Sequence, residues 1–497
     1  MNDPAGAHPS ALPRASRSAV RHHSEIVLLV IFFLSLPLMN PWIRGDGVGY
    51  YAFARAPLIE HALNFTNDYL HANPSFRDPR VGEDGQPRKE FVTRTGHLDN
   101  HFTIGPALLW MPFLLVAHGG VLLARALGSP AVAADGFSAP YRIAMAFGTV
   151  CYAFAGLLIS FRLARHYVEE RWALLGTIGI WWASSLPVYM YFNPSWSHAH
   201  SAFSVALFFW YWHETRLERA LRQWILLGLI AGLMITVYYA NAMVLVAPGV
   251  EALSQYAGQL VSSQREWRKI GRLFVGQVLF LAAIGVCMLP TLLTRYVIYG
   301  SAFESGYVPL KDWLWRRPAS WYVLFSPDHG LFTWTPALLL AFLGLVYFAW
   351  RQPRVGVPWL AAALAFFGLI SCYPNWDGLS SYGNRFFVSL TILFVIGFAV
   401  MLEALAGAAH NARIAERIAT AALLLLIAWN IGFMYQWGTH LVPARGPITW
   451  REMIHNQVAV VPKQMAANLR DYFTRRKSMM QELEQKDIEQ RRELKQP

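Results

Sequence analysis

Long apolar runs divide this chain and constrain its fold more than any other feature of the sequence. The runs are about 12 to 25 residues long, and about 20 apolar residues let an α-helix cross the ~30 Å hydrocarbon core of a bilayer. Of the 497 residues, 55% are hydrophobic and 14% are charged, whereas roughly 25% charged residues is usual in a soluble domain. The pattern predicts an all-α polytopic membrane protein and argues against a water-soluble enzyme.

About eleven of the runs are predicted to cross the membrane. The first, from about 25 to 39, follows a basic segment and resembles a secretory signal, but no small-residue cleavage site comes after it. We therefore expect an uncleaved crossing that leaves a tail, 1–24, in the cytoplasm. The other crossings are predicted near 141–161, 172–190, 201–213, 225–237, 240–250, 273–294, 333–350, 357–372, 386–405 and 419–436.

The basic residues between the runs predict the orientation of the chain. With these crossings the basic loops all fall on one side, which the positive-inside rule makes cytoplasmic. They lie near 162–171, 216–222, 265–272, 351–354 and 413–417. The formal charge of +12 is explained in this way, and no nucleic-acid partner is expected. The tail at 441–497 is then external although it is basic, and its many helix formers predict a surface helix over about 462–494.

This orientation depends on two irregular segments. The stretch from Ile104 to Leu127 must not be a net crossing, so we predict that it is re-entrant or lies along the membrane surface. The run from Trp224 to Pro248 must enter and return, and a break at 238–241 would place the polar Asn241 in a cavity rather than in lipid. The three cysteines are far apart, which predicts neither a disulfide framework nor a cysteine metal site.

The segment Arg44-Gly45-Asp46-Gly47-Val48-Gly49-Tyr50-Tyr51, directly after the first crossing, is the main candidate for chemistry. Its glycines allow a ligand to approach the backbone closely, and the crossing holds Asp46 at the membrane surface. A base at that place can accept a proton from a hydroxyl while a lipid-linked partner stays in the bilayer. The local residues leave one alternative open, in which Asp46 only caps the following helix.

The parts predicted to be external are 40–101, 193–200, 295–335 and 373–385, and six short segments follow one another in or beside them. They are Gly45-Asp46-Gly47-Val48-Gly49-Tyr50-Tyr51, Asn64-Phe65-Thr66-Asn67-Asp68-Tyr69, Asn100-His101-Phe102-Thr103-Ile104-Gly105-Pro106-Ala107-Leu108-Leu109-Trp110, Trp196-Ser197-His198-Ala199-His200, Ser326-Pro327-Asp328-His329-Gly330-Leu331-Phe332 and Ser381-Tyr382-Gly383-Asn384-Arg385-Phe386-Phe387. In this order they resemble the GT-C superfamily of membrane glycosyltransferases. The similarity covers about 25–440 and is strongest to the bacterial relatives of protein O-mannosyltransferases and of the lipid A aminoarabinose transferase.

The resemblance implies a fold and an activity. The expected fold is a GT-C-like bundle of about eleven transmembrane helices over 25–440, whose first periplasmic loop, 42–140, carries membrane-surface helices. The expected reaction moves a sugar, with inversion, from a polyprenyl phosphate to a hydroxyl of an envelope glycan, a lipid or a protein. It would take place on the periplasmic face of a bacterial inner membrane, with Asp46 as the catalytic base.

The remaining polar residues are assigned to the two substrates. Arg385 is expected to bind the lipid phosphate through its guanidinium fork, unless it is only a snorkelling anchor at the interface. We expect Arg295 and His329 to assist at the phosphate. Asp68, like Asp46, is acidic in the resembling proteins and would orient sugar hydroxyls, unless it only forms an Asx turn or helix cap. Other expected contacts to sugar or acceptor are Tyr50, Tyr51, His101, His198 and Asp377.

The sequence leaves open whether the protein binds a divalent metal. Imidazole and carboxylate groups suit Zn or Mn, and several of both are predicted to be external, but their spacing is not diagnostic. These residues are His101, His198, His200, His329, Asp68, Asp99, Asp328 and Asp377. The tryptophans of the segment 312–321 either stack on a sugar ring or form an interfacial belt, and the belt is favoured.

Three other classes of protein were weighed against a glycosyltransferase of this type. A multi-pass transporter or flippase would also be basic and helical, but it predicts inverted repeats and ionisable residues at the midplane, whereas the charges here collect at one face. An O-antigen ligase or polymerase would place its largest external loop late in the chain. A structural subunit would not need the Gly45-Asp46-Gly47 segment.

Overall fold

The computed structural model describes residues 23–493 except 74–79, 83, 130, 262–265 and 444–447. In these ranges the chain is helical, and the only extended pairings are two isolated bridges. Most of the predicted cytoplasmic tail at 1–24, and residue 494 of the predicted surface helix, lie outside the described residues.

The α-helices, in chain order, are α1 His23–Ser35, α2 Asp46–Arg55, α3 Thr66–His71, α4 Gly105–Ala126, α5 Ala139–Ala164, α6 Glu170–Trp182, α7 His198–Thr215, α8 Leu221–Val237, α9 Val246–Val261, α10 Trp267–Tyr299, α11 Ser320–Phe325, α12 Leu331–Trp334, α13 Ala337–Arg351, α14 Pro353–Cys372, α15 Thr391–Gly407, α16 Ala412–Gly438, α17 Trp450–His455, α18 Val461–Thr474 and α19 Arg476–Glu493. Short 3-10 turns cover Leu36–Leu38, Lys89–Phe91, Tyr239–Leu245, Leu310–Asp312 and Arg385–Leu390. Single π turns cover Ala56–Glu60, Val188–Phe192 and Asn456–Val460.

Six helices in the described part of the chain are long and apolar enough to cross a membrane. They are Gly105–Ala126, Ala139–Ala164, Trp267–Tyr299, Pro353–Cys372, Arg385–Gly407 and Arg413–Gly438. Three shorter apolar helices, His23–Leu38, Leu221–Val237 and Ala337–Arg351, accompany them. The prediction of an all-α membrane protein is therefore confirmed, while the count of eleven crossings stays a prediction.

Four of the five loops predicted to be cytoplasmic, all but 265–272, contact one another or a neighbouring helix at one end of the helix bundle. Arg162 at the end of α5 pairs with Glu25 in α1 at 3.0 Å, and Arg171 at the start of α6 pairs with Glu416 in α16 at 3.2 Å. The further contacts here are Glu169 with Glu403, His166 with Glu214, and Arg216 with the carbonyl of Arg354. We call this end of the bundle the basic end.

The stretch from Ile104 to Leu127 forms the uninterrupted helix α4. It packs antiparallel to the first half of α5, where Trp110 donates to Thr149 at 2.8 Å and His118 contacts Tyr141 at 2.6 Å. Its first residue touches the last residues of α8, at the far end of that helix from the basic end. The prediction that this stretch is re-entrant or lies along the membrane surface stays a prediction.

The predicted break inside 224–248 is present. α8 ends at Val237, Tyr238 is extended, and a 3-10 turn leads into α9. Asn241 in this turn is fully buried, and its amide donates to the Ser201 hydroxyl at 2.7 Å and to the Met234 carbonyl at 2.9 Å. Non-helical backbone inside a membrane protein needs such internal partners, because lipid offers none.

The tail after residue 441 folds back onto the bundle. α17 contacts the end of α16, where Gln436 donates to the Met453 carbonyl at 3.1 Å. α18 and α19 continue to the far end of α1, where the Tyr472 hydroxyl donates to the Leu38 carbonyl at 2.6 Å. The predicted surface helix is therefore two helices, α18 and α19, interrupted at Arg475.

Candidate functional site

A cavity of about 1000 Å³ lies at the end of the bundle away from the basic end. All four segments predicted to be external, 40–101, 193–200, 295–335 and 373–385, contribute to its wall, and the break after α8 adds a fifth part. The polar and aromatic lining residues include Asp46, Tyr50, Arg80, His101, His198, Tyr238, Tyr239, Tyr307, Trp313, Tyr373, Asn375 and Arg385. Segments distant in sequence thus form one site.

Two glycines place Asp46 at the start of α2. Gly45, which precedes the helix, has φ 54° and ψ −132°, a conformation that side chains disfavour. A Cβ atom on Gly47 would lie 2.0 Å from the hydroxyl oxygen of Ser195, so α2 approaches this segment as closely as only glycine allows. The helix begins at Asp46, and Gly45 is the residue in the N-cap position. The carboxylate is therefore directed to the cavity instead of filling the N-cap position.

Asp46 and Arg385 form an ion pair in the cavity. Arg385 Nη1 lies 2.8 Å from Asp46 Oδ2, and the two side chains are 11% and 34% exposed, respectively. The guanidinium also lies over the ring of Trp196, 4.4 Å from its centroid, where a cation–π contact stabilises the charge. Its Nε atom is buried and has no hydrogen-bond partner among the described residues. Nη1, which faces Asp46, also makes no hydrogen bond of good geometry there, so the protein does not fully satisfy this guanidinium.

Aromatic side chains enclose the space beside this pair. Tyr238 stacks on Phe386 with an interplanar angle of 5°, and His198 packs edge-on against Tyr238. Tyr50, one turn after Asp46, accepts a hydrogen bond from the Ser197 hydroxyl at 3.0 Å. Burial, and then the negative charge of Asp46, raise the pKa of Tyr50 to about 12. Its phenol therefore stays protonated at neutral pH and is not a base.

Arg295 holds the part of the cavity rim that contains His101 and Phe102. It is buried, and its guanidinium donates to the backbone carbonyls of Asn100, His101 and Phe102 at 3.0, 2.7 and 2.7 Å. Burial alone would raise the pKa of the neighbouring Asp99, but hydrogen bonds from His101 and Tyr299 outweigh it and lower that pKa. This rim therefore presents His101 beside an ionised carboxylate.

The wall between the 3-10 turn after α8 and the end of α14 is apolar. Its aliphatic residues are Ala240, Met243, Leu310, Leu369, Ile370 and Leu379. The cavity is thus polar and aromatic near Asp46 and aliphatic on another side. Such a surface suits a ligand that is itself part polar and part hydrocarbon.

Five of the ten predicted site residues line the cavity, namely Asp46, Tyr50, His101, His198 and Arg385. Tyr51 and Asp68 lie outside its wall. Asp68 is fully buried in an ion pair with Arg55 at 3.0 Å, and the Tyr51 hydroxyl donates to the Gly136 carbonyl at 2.6 Å. Along α2, Tyr50 faces the cavity while Tyr51 and Arg55 face the core of the first loop. Asp68 therefore stabilises that loop, and direct contact with a sugar in this cavity is closed to it.

Arg295, His329 and Asp377 also lie outside the cavity wall. The fork of Arg295 is used by backbone carbonyls, which corrects the expectation that it binds a phosphate here. His329 is fully buried and packs on Trp334 with ring centroids 5.0 Å apart. Asp377 is half-buried, and its carbonyl accepts from Ser381 in the loop before Arg385. These residues support the wall from behind.

The four histidines predicted to be external form no metal-binding group in the described residues. There, the one group of three side chains close enough to share an ion is His166, His213 and Glu214. It lies at the basic end, about 22 Å along α7 from His198. The possibility of a divalent metal at the cavity therefore gains no support from its geometry.

Several wall residues escaped prediction because no local pattern marks them. Tyr307 and Tyr373 come from long loops. Tyr238 comes from the break after α8, where the sequence pattern indicated only the polar residue Asn241. Trp313 lines the cavity, whereas Trp315 and Trp321 are exposed, and the two roles expected for this tryptophan segment stay predictions. The chain matches no protein-family model and no curated protein.

Proposed function

We propose that this protein is an inverting glycosyltransferase that takes a sugar from a polyprenyl phosphate. The observation that carries the proposal is the Asp46–Arg385 ion pair in a cavity with one aliphatic side. A carboxylate and a guanidinium are the two charged groups that this reaction needs, one for the acceptor proton and one for the leaving phosphate. The six-segment resemblance to the GT-C superfamily points to the same reaction.

Arg385 receives the phosphate in this proposal. The fork of an arginine binds two phosphate oxygens, and the Nε atom of Arg385 is without a partner among the described residues. When the phosphate binds, it competes with Asp46 for the guanidinium. Asp46 is then freed to accept a hydrogen bond from the acceptor hydroxyl.

Asp46 acts as the base. As the acceptor oxygen attacks the anomeric carbon, its proton passes to the Asp46 carboxylate, and the bond between the anomeric carbon and the phosphate oxygen breaks. The electron pair of that bond leaves with the polyprenyl phosphate, whose charge Arg385 stabilises. Attack opposite the leaving group inverts the anomeric centre, and the phosphate leaves without needing a strong general acid.

Different walls of the cavity bind different parts of the substrate in this proposal. Tyr238 and Trp313 offer flat faces for a sugar ring, and His198 and Tyr50 offer polar groups for its hydroxyls. The aliphatic wall around Met243 and Ile370 suits the first isoprene units of the carrier. The acceptor is a hydroxyl of an envelope glycan, a lipid or a protein, and the face of the reaction is the periplasmic side of a bacterial inner membrane.

The test is the substitution Asp46→Asn. We expect the variant to fold, because the amide keeps the shape of the carboxylate, while transfer falls by roughly 10²- to 10⁴-fold, the usual contribution of a general base. Mass spectrometry of envelope glycans, lipids and glycoproteins from cells with the variant should show one sugar missing from its acceptor. Asp84→Asn, at an exposed residue of the first loop, is the matched control.

Retained transfer in Asp46→Asn would remove Asp46 from the role of base. A transporter or flippase predicts a different result. In that case, no glycosylated acceptor would form from purified donor and acceptor, because the protein would catalyse no covalent step. Donor, acceptor and protein mixed in detergent therefore separate the two classes.

A further inference from the structure

The C-terminal tail lies against the segment that leads from α1 to Asp46. Tyr472 in α18 and Met480 and Leu483 in α19 form a buried apolar cluster, onto which Trp42 packs. The side-chain amide of Asn40 donates to the sulfur of Met480 at 3.2 Å. The tail and the segment 37–44 are therefore one packed unit, although more than four hundred residues of chain separate them.

Polar groups of the tail bind the 3-10 turn that follows α1. Arg476 donates to the carbonyls of Met39 and Pro37, both at 2.6 Å, and Tyr472 donates to the carbonyl of Leu38 at 2.6 Å. These carbonyls lie at the end of the 3-10 turn Leu36–Leu38 and just after it, and the side chains of the tail supply their donors. Arg476 therefore has a structural role. This role accounts for one of the basic residues of a tail that is predicted to be external, where the positive-inside rule does not expect them.

Glu484 makes the contact nearest to the proposed active site. The residue is 3% exposed. Its Oε1 atom accepts a hydrogen bond from the Trp42 indole at 3.1 Å and lies 3.2 Å from Nε of Arg44. A buried carboxylate is costly unless it is paired, and here both partners belong to the segment directly before Asp46. The contact is therefore specific to this segment.

The segment is held on its other side by Trp196. The Trp196 indole donates to the Arg44 carbonyl at 2.9 Å, and the same ring carries the guanidinium of Arg385. One residue, Gly45, separates Arg44 from Asp46, and Gly45 has no side chain to restrict its own backbone. Contacts on both sides of Arg44 therefore replace the rigidity that Gly45 lacks.

We infer that Glu484 is a positioning residue, which holds Trp42 and Arg44 and through them sets the orientation of Asp46. The inference rests on the proposed function, in which Asp46 is the base. It assigns the tail a part in the reaction, although none of the described residues of the tail lines the cavity. Small displacements of a base cost rate more than they cost binding, because the proton transfer depends on alignment.

The first test measures the segment directly, by hydrogen–deuterium exchange of the full-length protein in detergent. The amides of Gly47 and Val48, which bond to the carbonyls of Arg44 and Gly45, should exchange at least several-fold faster in Glu484→Ala than in the wild type. Glu482→Ala, at an exposed residue of the same helix, should exchange like the wild type. Equal exchange in all three proteins would overturn the inference, whatever reaction the protein catalyses.

The second test is kinetic. We expect Glu484→Ala to lower kcat by roughly 10- to 100-fold with little change in the KM for the donor, and Glu484→Gln, which keeps the acceptor for Trp42, to lie in between. An unchanged kcat together with faster exchange would also overturn the inference. If the wild type transfers no sugar, the proposed function fails, and the exchange result still shows whether the tail holds the segment.

Discussion

The carboxylate of Asp46 and the guanidinium of Arg385 neutralise each other in a cavity that is only partly open to water. Each charge would be expensive to keep alone in such a place, and the pairing lowers that cost until a ligand arrives. The pair also couples the two halves of the proposed reaction, since an anion that binds Arg385 releases Asp46. Both residues were selected from the sequence separately, and their contact was not predicted.

Substituting Arg385 should weaken binding of the donor. We expect Arg385→Ala to reduce the affinity for a short-chain polyprenyl phosphate by roughly 10- to 100-fold, because a charge-assisted pair of hydrogen bonds is lost. Equilibrium binding to the detergent-solubilised protein measures this. Arg317→Ala, at an exposed residue of the loop before α11, is the control, and an unchanged affinity in Arg385→Ala would contradict the phosphate assignment.

The stability of the folded protein should depend on pH through the protonation of Asp328. Burial, and then the charge of Asp377, raise the pKa of Asp328 to about 6, above the ~3.9 of an unfolded chain. The folded protein therefore holds this proton more tightly than the unfolded chain. The resulting stabilisation is complete below about pH 4 and is lost as the pH rises through about 6.

Replacing the carboxyl with an amide removes this dependence. We expect Asp328→Asn to have a higher Tm than the wild type at pH 7.5 and a similar Tm at pH 4, measured by thermal unfolding in detergent. Asp84→Asn should show no such difference between the two pH values. A Tm difference that is equal at both pH values would mean that the amide acts through packing and not through the proton.

At the scale of elements, α2 owes its position to close contact with the segment before α7. Ser195, which would touch a side chain at position 47, is adjacent to Trp196, the platform for Arg385. The approach of these two elements therefore sets the distance between Asp46 and Arg385. Glycine at 47 makes the approach possible, and this is the physical reason for the glycines that the sequence shows around Asp46.

A methyl group at position 47 should separate the two elements. We expect Gly47→Ala to lower both the Tm and the rate of transfer, because its Cβ atom would lie 2.0 Å from Ser195 Oγ and 2.5 Å from Ser195 Cβ. The double variant Gly47→Ala/Ser195→Gly should recover part of both losses. Thermal unfolding and a transfer assay measure the two effects.

The control for this prediction is Gly258→Ala. Gly258 is an exposed helical residue of α9, and a Cβ atom there meets nothing within 4 Å. Alanine at such a site restricts the unfolded chain, so we expect the free energy of unfolding to be unchanged or to rise by up to about 1 kcal/mol. The Tm should then be unchanged or slightly higher. If Gly47→Ala behaved like this control, the close contact would not determine the position of α2.

At the scale of the whole molecule, the cavity and the basic loops lie at opposite ends of the bundle. The contacts among Glu25, Arg162, Arg171 and Glu416 join four helix ends at the basic end. The tail joins the cavity end through Glu484. The positive-inside rule predicts that the basic end faces the cytoplasm, and on that prediction the cavity and the tail face the other side.

Fusions with topology reporters test this arrangement. We expect a phosphatase that is active only outside the cytoplasm to be active after residue 440 and at the C-terminus, and inactive after residue 410, because these points lie on either side of α16. A fluorescent protein that folds only in the cytoplasm should give the opposite pattern. An active phosphatase at 410 would reverse the orientation and place the cavity inside the cell.

The sequence by itself determined the class of the fold, the runs that become apolar helices, the break after α8, the choice of Asp46 and Arg385 as candidate residues, and the end at which most of the basic loops lie. These are consequences of hydropathy, charge and backbone freedom, which are local properties of a chain. Only the tertiary structure decided that Asp46 pairs with Arg385, that Arg295 and Asp68 are used inside the protein, and that Glu484 of the tail reaches the segment before Asp46. Such contacts depend on how distant helices pack against one another, and a side chain's nearest partner across that packing leaves no mark on the residues beside it in the sequence.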